Sequence, residues 1–225
     1  MSDLWIVVPA AGESRRFKEA GYTIPKPFLM IDDEGLVMTM IGHVLYDINH
    51  YEKILVGLSN LAPDDFEFPS ILIENSIGQA DTVYRMLSCL PQEDSVLVLD
   101  CDMILEADDI QKMMDFLKNY DVVIAVAESF NPNASRVDQV PFPTRFVEKE
   151  PISQYAIVGA RAFKNIGLLK KALERTLDRY KKIGQEPYLS VAINHYPGTK
   201  YAHQITKYTD WGTPEAVKSS GAKIV

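Results

Sequence analysis

The sequence predicts an α/β fold with a parallel central sheet, and three observations indicate it. Five short runs in the first part of the chain are continuously apolar and rich in Val or Ile, which is typical of strands covered on both faces. Segments whose apolar residues have helical spacing lie between several of these runs. The third observation is size, because 225 residues with 47% hydrophobic content can bury a substantial core.

The predicted elements of the first part alternate between strand and helix. The strands are Leu4–Pro9, Lys53–Leu58, Ser70–Glu74, Ser95–Leu99 and Val122–Ala127. The clearest helix covers Ala107–Tyr120, where the apolar residues of one face are Ile110, Met113, Met114 and Leu117. Met38–His50 and the segment after Gly78 show similar but less regular patterns. Because a parallel strand pair needs a crossover connection, this alternation favours a parallel sheet.

A segment rich in Pro and Asn follows Ser129 and predicts a surface loop at a boundary between two lobes. Beyond this loop the sequence predicts strands at Thr144–Lys149, Ala156–Phe163 and Lys200–Tyr208. A helix lies between the last two, and the apolar residues of its buried side are Ile166, Leu169, Leu173 and Leu177. The sequence has no internal repeat and no low-complexity tract.

Composition and charge exclude several classes of protein. A net charge of -8 and a pI near 5.0 argue against a nucleic-acid partner, which normally requires a clustered basic surface. No apolar run approaches the roughly 20 residues that a membrane span needs, so we expect no membrane insertion. Cys89 and Cys101 are too few for a disulfide framework, and no signal-peptide pattern opens the sequence. A cytoplasmic protein is therefore expected.

The first predicted strand leads into a turn of small residues that is followed by cations. The stretch Leu4–Phe28 reads LWIVVPAAGESRRFKEAGYTIPKPF. Backbone N–H groups in such a turn can surround phosphate oxygens, and Arg16 and Lys26 would add positive charge. The prolines at 25 and 27 restrict the backbone on both sides of Lys26. The pattern predicts a nucleotide site, although a tight turn with solvated cations would look the same.

Acidic residues follow the strand Ser95–Leu99 and form the pattern Asp-Cys-Asp at 100–102. In open α/β sheets, ligands bind at the carboxyl ends of the strands, and Mg²⁺ takes one or two carboxylates there. The alternative is a strand end whose acids cap the next helix. Asp210, in the motif TDWGTPEAV, could supply a second carboxylate, or it could be an ordinary turn residue. Glu148 and Lys149 could meet a second anionic substrate, or they could be an exposed ion pair.

Taken in order, these motifs resemble a known family. PAAGESRRF with PKPF, then DCDM, VEKEP and DWGTPEAV are similar to the motifs of the sugar-phosphate nucleotidyltransferases. Members of this family join an NTP to a sugar 1-phosphate or a similar phosphate ester and release pyrophosphate. The resemblance covers nearly the whole chain, and it implies a Rossmann-like, GT-A-type three-layer α/β/α sandwich with a mostly parallel sheet. It also implies one domain over residues 1–225, with a nucleotide-binding lobe over about 1–128 and a smaller acceptor-binding lobe over 129–225.

The resemblance also implies roles for individual residues. Arg16 would hold the leaving pyrophosphate, and Lys26 would hold the phosphates nearer the reacting atom. Asp102 and Asp210 would coordinate Mg²⁺. The acceptor would be met by Lys149 at its phosphate, with Glu148, Gly159 and Glu186 nearby. The implied nucleotide contacts are Ala10, Ala11, Gly12, Glu13, Ser14, Gly78, Gln79, Thr82 and Cys101.

Three residues depart from the pattern of the family. Ser14 replaces a glycine, Trp211 places a large ring after Asp210, and Glu150 adds negative charge beside Lys149. The partners expected from the resemblance are an NTP and a small phosphorylated acceptor, whereas the base, the acceptor, the oligomeric state and the pathway stay open. Bacterial surface-polysaccharide synthesis is the commonest setting for short members. Three alternative functions also stay open: a cytidylyltransferase with a non-sugar acceptor, a GT-A glycosyltransferase and a non-catalytic regulatory subunit.

Overall fold

Strands and helices alternate along most of the chain, and the computed structural model describes them within residues 3–46 and 48–225. The strands are β1 (Leu4–Ala10), β2 (Met30–Asp33), β3 (Leu36–Thr39), β4 (Ile54–Leu58), β5 (Ser70–Leu72), β6 (Ser95–Leu99), β7 (Met103–Leu105), β8 (Val122–Glu128), β9 (Ser135–Val137), β10 (Phe146–Glu148), β11 (Tyr155–Phe163), β12 (Lys200–Gln204), β13 (Tyr208–Asp210) and β14 (Lys223–Ile224). The helices are α1 (Arg15–Glu19), α2 (Met40–Tyr46), α3 (Gln79–Leu87), α4 (Ala107–Leu117), α5 (Ile166–Ile183), α6 (Leu189–Ala192) and α7 (Pro214–Ser219). Two 3₁₀ turns cover Lys26–Phe28 and Ile193–His195.

A nine-stranded sheet forms the centre of the fold, and most of its strands are parallel. Strands β12, β8, β6, β1, β4 and β5 share one direction, while β11 lies antiparallel between β8 and β6. Strands β9 and β10 extend the sheet from the other half of β11. The pairing of β11 shifts register between Ile157 and Arg161, at a bulge that contains Gly159. The bulge lies beside the carboxyl end of β6, where the Asp-Cys-Asp motif begins.

Helices cover both faces of the sheet. Val7 of β1 belongs to a core shared with α3 and α5, whereas its neighbours Ile6 and Val8 belong to a second core shared with α2 and α4. Successive side chains of a strand point to opposite faces, so apolar residues at every position of β1 require cover on both sides. The predicted α/β/α sandwich with a mostly parallel sheet is confirmed.

Two small sheets lie outside the central one. Strands β14, β2 and β3 form the first, and β7 pairs with β13 to form the second. The sequence predicts one strand over Lys200–Tyr208, but this prediction is wrong in its extent. Only Lys200–Gln204 pairs with β8, and the last bond between the two strands runs from the Ile205 N–H to the Val126 carbonyl. The chain then crosses to β7, and this crossing brings Asp210 toward the Asp-Cys-Asp motif.

The described residues include no helix that is both long enough and apolar enough to cross a membrane.

Candidate active site

The turn after β1 and the segment around Lys26 are joined by one serine side chain. Ser14 has a φ of 56°, in the left-handed region that glycine adopts most easily. Its hydroxyl accepts a hydrogen bond of 2.9 Å from the Lys26 backbone N–H. The serine that replaces the family's glycine therefore keeps the glycine-like conformation and also fixes the segment that carries Lys26.

The Lys26 side chain points at the acidic motif. Its Nζ lies 2.6 Å from Asp102 Oδ2, and both side chains are mostly buried, with 20% and 17% exposed. Burial is the largest single effect and lowers the pKa of Lys26, but the charge of Asp102, its hydrogen bond to the ammonium and the other acidic groups of the motif together outweigh burial, so the net shift is upward. The lysine therefore stays protonated and presents a fixed positive charge at the carboxyl end of β6.

Asp102 and Asp210 converge on one point although 108 positions separate them. The β7–β13 ladder places Asp210 opposite Met103, and the Trp211 N–H donates to the Asp102 carbonyl at 2.8 Å. A Cβ atom on Gly212 would lie 3.0 Å from Asp210 Oδ1 and 3.3 Å from Asp102 Oδ2. Glycine at 212 thus leaves room between two carboxylate oxygens.

The charges at this point favour a cation. Burial is the largest effect and raises the pKa of Asp210; the Gly212 N–H opposes that rise, the negative charge of Asp102 adds to it, and Lys26 and Arg16 oppose it weakly. Two adjacent carboxylates repel each other, and a divalent ion between them would remove that repulsion. The described part of the chain contains no group of three or more His, Cys, Asp and Glu side chains arranged to hold a metal. Two carboxylates are the donor set that Mg²⁺ uses when water and substrate phosphate complete its coordination.

A second network lies under the amino end of α3 and centres on Asp100. Asp100 Oδ1 accepts hydrogen bonds from Gln79 Nε2 at 2.5 Å and from the Arg161 guanidinium at 2.8 Å. Burial raises the pKa of Asp100, and Arg161 partly opposes that rise. Arg161 is 4% exposed, so the ion pair is nearly withdrawn from water. The Asp100–Arg161 pair holds the carboxylate to which Gln79 donates, and it thereby fixes the Gln79 side chain at the start of α3.

We expect Arg161→Met to destabilise the protein by about 3 kcal/mol, because breaking a buried ion pair leaves a desolvated charge behind. Urea unfolding at neutral pH measures the loss. Arg145→Met is the matched control, since the Arg145–Glu150 pair is exposed and should contribute less than about 1 kcal/mol. Equal losses for the two variants would contradict this description of the Asp100 network.

Two of the residues predicted to meet the acceptor, Glu148 and Lys149, lie at the end of β10, and Glu186 is close to them. Glu148 accepts hydrogen bonds from the hydroxyls of Ser135 and Ser190 through one carboxylate oxygen. Lys149 Nζ donates to the Tyr188 hydroxyl at 2.8 Å, and that hydroxyl donates to Glu186 at 2.8 Å. One cation and two carboxylates therefore form this cluster.

Several predicted nucleotide contacts have clear structural surroundings. Ala10 and Ala11 are buried at the end of β1, and Gly12 has no atom within 4 Å of the position of an added Cβ. Packing therefore does not explain the glycine at 12. The exposed Glu13 pairs with Arg15, and the exposed Arg16 is near enough to Asp210 to affect its pKa.

Three other predicted contacts also have close structural neighbours. The Thr82 hydroxyl is buried and lies 2.7 Å from the Ser76 hydroxyl, in the loop before α3. Gly159 has a φ of 63°, and an added Cβ would lie 2.9 Å from Met103. Burial raises the pKa of the Cys101 thiol to about 12. The thiol packs in the second core, and the residue is 7% exposed.

The two larger departures from the family pattern have local explanations. The ring of Trp211 is fully buried in a third core, where it packs edge-on against His43 and donates to the Ser220 hydroxyl at 3.0 Å. The ring therefore points away from Asp102 and anchors the segment that carries Asp210. Glu150 is paired with Arg145 at 2.9 Å, which offsets its negative charge beside Lys149.

Sequence reasoning missed four residues of these clusters: Arg161, Tyr188, Ser135 and Ser190. It noted Asp100 as part of the acidic motif without assigning it a role. The only signal for Arg161 is a charged residue inside the otherwise apolar run of β11, which often marks a buried ion pair. No local signal marks Tyr188 or the two serines.

Comparisons with solved structures show the same fold. The nucleoside-diphosphate-sugar pyrophosphorylase from Vibrio cholerae RC9 aligns with a TM-score of 0.75 at 20% identity, over 96% of this chain and 98% of that one. UDP-glucose pyrophosphorylase from Acinetobacter baumannii aligns with a TM-score of 0.76 at 18% identity, over 98% and 92%. The inositol-1-phosphate CTP transferase from T. maritima aligns with a TM-score of 0.73 at 14% identity, over 98% and 94%.

Comparison at the level of sequence gives the family. No curated protein matches the chain significantly. The family model for the MobA-like NTP transferase domain matches residues 6–180, which include the turn after β1, Lys26 and the acidic motif. This match confirms the nucleotidyltransferase assignment that the motifs predict, and the chain belongs to the family of MobA-like NTP transferase domains.

Proposed function

We propose that this chain is a magnesium-dependent nucleotidyltransferase that condenses an NTP with a sugar 1-phosphate, or a similar small phosphate ester, and releases pyrophosphate. The observation that carries the proposal is the contact of 2.6 Å between Lys26 Nζ and Asp102 Oδ2, next to Gly212, where the Asp210 carboxylate also lies. A cation and two acids at the carboxyl end of β6 are suited to a phosphate chain that arrives with a metal ion.

Charge explains what the residues would do. Both reactants are anions, so bringing them together is the main difficulty, and positioning with electrostatic stabilisation can supply most of the catalysis. Lys26 would bind the phosphates around the reacting α-phosphorus, and Arg16 would bind the departing pyrophosphate. An acceptor phosphate is already ionised and needs no general base. Backbone N–H groups of the turn at residues 10–14 would bind further phosphate oxygens.

Asp102 and Asp210 would hold the magnesium ion, and the lack of a side chain at Gly212 leaves their neighbouring oxygens uncrowded. When bound there, the ion would supply positive charge that stabilises the phosphate oxygens. The ammonium of Lys26 would turn from Asp102 toward the same phosphate oxygens, because it lies beside the proposed ion site. This arrangement places the chain's own lysine on one side of the α-phosphate.

The nucleotide and acceptor would occupy different parts of the cleft. We assign the nucleotide mainly to residues 1–128 and the acceptor to residues 129–225, within one domain. Glu148 and Lys149 would meet the acceptor, and Gly159 and Glu186 would line its site. Gln79 would lie near the base, held by Asp100. The similar structures include proteins named for UDP-glucose and for inositol 1-phosphate, which supports a polyol phosphate as the acceptor.

A pyrophosphate-release screen tests the proposal. Each of the common NTPs is combined with a panel of sugar 1-phosphates, inositol 1-phosphate and choline phosphate, with and without Mg²⁺. We expect release above the acceptor-free control for at least one pair, and only with Mg²⁺. Transfer of a sugar from a nucleotide sugar without pyrophosphate release would favour a glycosyltransferase instead. Binding of NTP with no turnover for any pair would favour a regulatory subunit.

We expect Gly212→Ala to raise the Mg²⁺ concentration for half-maximal activity by about tenfold, as loss of support around a metal site commonly does. The added methyl group would crowd both carboxylates at 3.0 and 3.3 Å. A magnesium titration of pyrophosphate release measures the change, and thermal unfolding checks that the fold is kept. An unchanged titration in a folded variant would place the metal elsewhere.

A further inference from the structure

Tyr188 connects two charged residues of the acceptor cluster. Its hydroxyl accepts a hydrogen bond from Lys149 Nζ at 2.8 Å and donates one to Glu186 Oε2 at 2.8 Å. The Lys149 ammonium also lies 4.9 Å from the centre of the Tyr188 ring, within the range of a cation–π contact. The phenol therefore fixes the relative positions of a cation and an acid from different segments.

The segment that carries Tyr188 is anchored to the amino end of α3, which carries residues assigned to the nucleotide. The Pro187 carbonyl accepts a hydrogen bond of 3.2 Å from the Ala80 N–H at the amino end of α3. An added Cβ on Gly78 would lie 2.8 Å from Glu186 Cγ and 2.9 Å from the Pro187 carbonyl oxygen, so this packing is close. Tyr188 is therefore held between the residues assigned to the nucleotide and those assigned to the acceptor.

Lys149 has an unusual backbone for a residue other than glycine. Its φ of 55° lies in the left-handed region, which costs a non-glycine residue free energy and is enriched at active sites and ligand-binding segments. The side chain is exposed, so without a partner it would sample many rotamers. The Tyr188 hydroxyl supplies that partner.

We propose that Tyr188 is a positioning residue of the acceptor site: it holds the Lys149 ammonium in the orientation that receives the acceptor phosphate. This inference rests on the proposed function. An ammonium group has three N–H donors, and Tyr188 occupies one of them, so two remain for phosphate oxygens. The Tyr188 hydroxyl thus orders the Lys149 side chain without occupying the N–H groups that the phosphate needs. Less conformational entropy of Lys149 is then lost when the acceptor binds.

Tyr188→Phe tests the proposal, because it keeps the ring and removes only the hydroxyl. We expect the KM for the acceptor to rise about threefold to tenfold. This range corresponds to the free-energy cost of ordering one long side chain on binding. The KM for the NTP and kcat should stay within about twofold, since the lost interaction is made equally in the ground state and the transition state. In a Lys149→Met background the same change should have no further effect on the KM for the acceptor.

Tyr84→Phe is the matched control. Tyr84 also has a hydroxyl bonded to a glutamate, Glu174 at 3.1 Å, and a lysine, Lys170, 5.6 Å from its ring centre, but it lies between α3 and α5. Loss of its hydroxyl should leave the acceptor KM unchanged. A general effect of removing a tyrosine hydroxyl would appear in both variants.

A second measurement does not depend on turnover. Amine-selective acylation at pH 8.5, followed by peptide mapping, should modify Lys149 at least about twofold faster in Tyr188→Phe than in the wild type, since the released ammonium loses the partner that favours its charged form. Tyr84→Phe should not change that rate. An unchanged acylation rate, or an unchanged acceptor KM in an active enzyme, overturns the inference. If the wild type transfers no nucleotide with any acceptor, the proposed function fails, and acylation still decides whether Tyr188 holds Lys149.

Discussion

Lys26→Ala is expected to lower kcat for pyrophosphate release by at least about 100-fold, because a fixed charge at a reacting phosphate contributes about 10²–10³ in rate. Lys26 is the only lysine whose ammonium contacts the acidic motif among the described residues, with Nζ 2.6 Å from Asp102. The pKa of Lys26 is raised above the ordinary value of lysine, so the charge is present at neutral pH. Steady-state kinetics with a productive NTP and acceptor measures the loss.

The control for this variant is Lys18→Ala. Lys18 is exposed and lies on α1. Its replacement by alanine removes the same net charge from the same segment of the chain. We expect its kcat to stay within about twofold of the wild type. Circular dichroism and thermal unfolding separate a loss of chemistry from a loss of fold. A folded Lys26→Ala variant with wild-type turnover would remove Lys26 from the mechanism.

Asp102→Asn is expected to reduce activity by at least about 100-fold, measured at a magnesium concentration that saturates the wild type. The amide keeps the shape of the carboxylate but has no negative charge for the ion, and its NH₂ group cannot be a metal ligand. The variant should also need more Mg²⁺ for half-maximal activity, since only Asp210 remains charged at the point beside Gly212. Magnesium titrations of pyrophosphate release measure both effects.

Asp64→Asn controls for the loss of one surface charge, because Asp64 is exposed and lies in the loop between β4 and β5. It should leave both kcat and the magnesium titration unchanged. If Asp102→Asn instead behaved like Asp64→Asn, the ion would have to be bound without the acidic motif. The assignment of Asp210 as its partner would fail with it.

Local patterns in the sequence were enough to predict most strands of the central sheet, but not β9, which lies in the segment that was wrongly predicted to be a surface loop throughout. The residues of β1, β6 and β8 are apolar at nearly every position, and this follows from their burial on both faces. The long helices α4 and α5 likewise show their buried stripes in the sequence. In each case one segment carries its own signal, whatever it packs against.

Short elements and distant contacts could not be predicted in this way. Helix α1 has five residues and one buried side chain, so it has no periodicity to detect. The β2–β3 hairpin was not predicted either: Glu34 and Gly35 both have positive φ in its two-residue turn, but Glu-Gly is not among the dipeptides that mark such turns most strongly. The β7–β13 pairing joins three-residue strands a hundred positions apart, and only the fold brings them together.

The same distinction applies to the candidate site. The motifs predicted Lys26, Asp102 and Asp210, and the structure brings these three side chains together. Arg161 was not predicted because its partner, Asp100, lies 61 positions away. The bond between Tyr188 and Lys149 is a contact between two loops, and such contacts have no spacing rule.

The most direct test of the central claim is the fate of the α-phosphate. The enzyme is incubated with Mg²⁺, a productive acceptor and an NTP labelled with ³²P at either the α or the γ position. We expect the α label in the product that contains the acceptor and the γ label in pyrophosphate, because the acceptor attacks the α-phosphorus. Transfer of the γ label to the acceptor, with the α label left in a nucleoside diphosphate, would contradict nucleotidyl transfer.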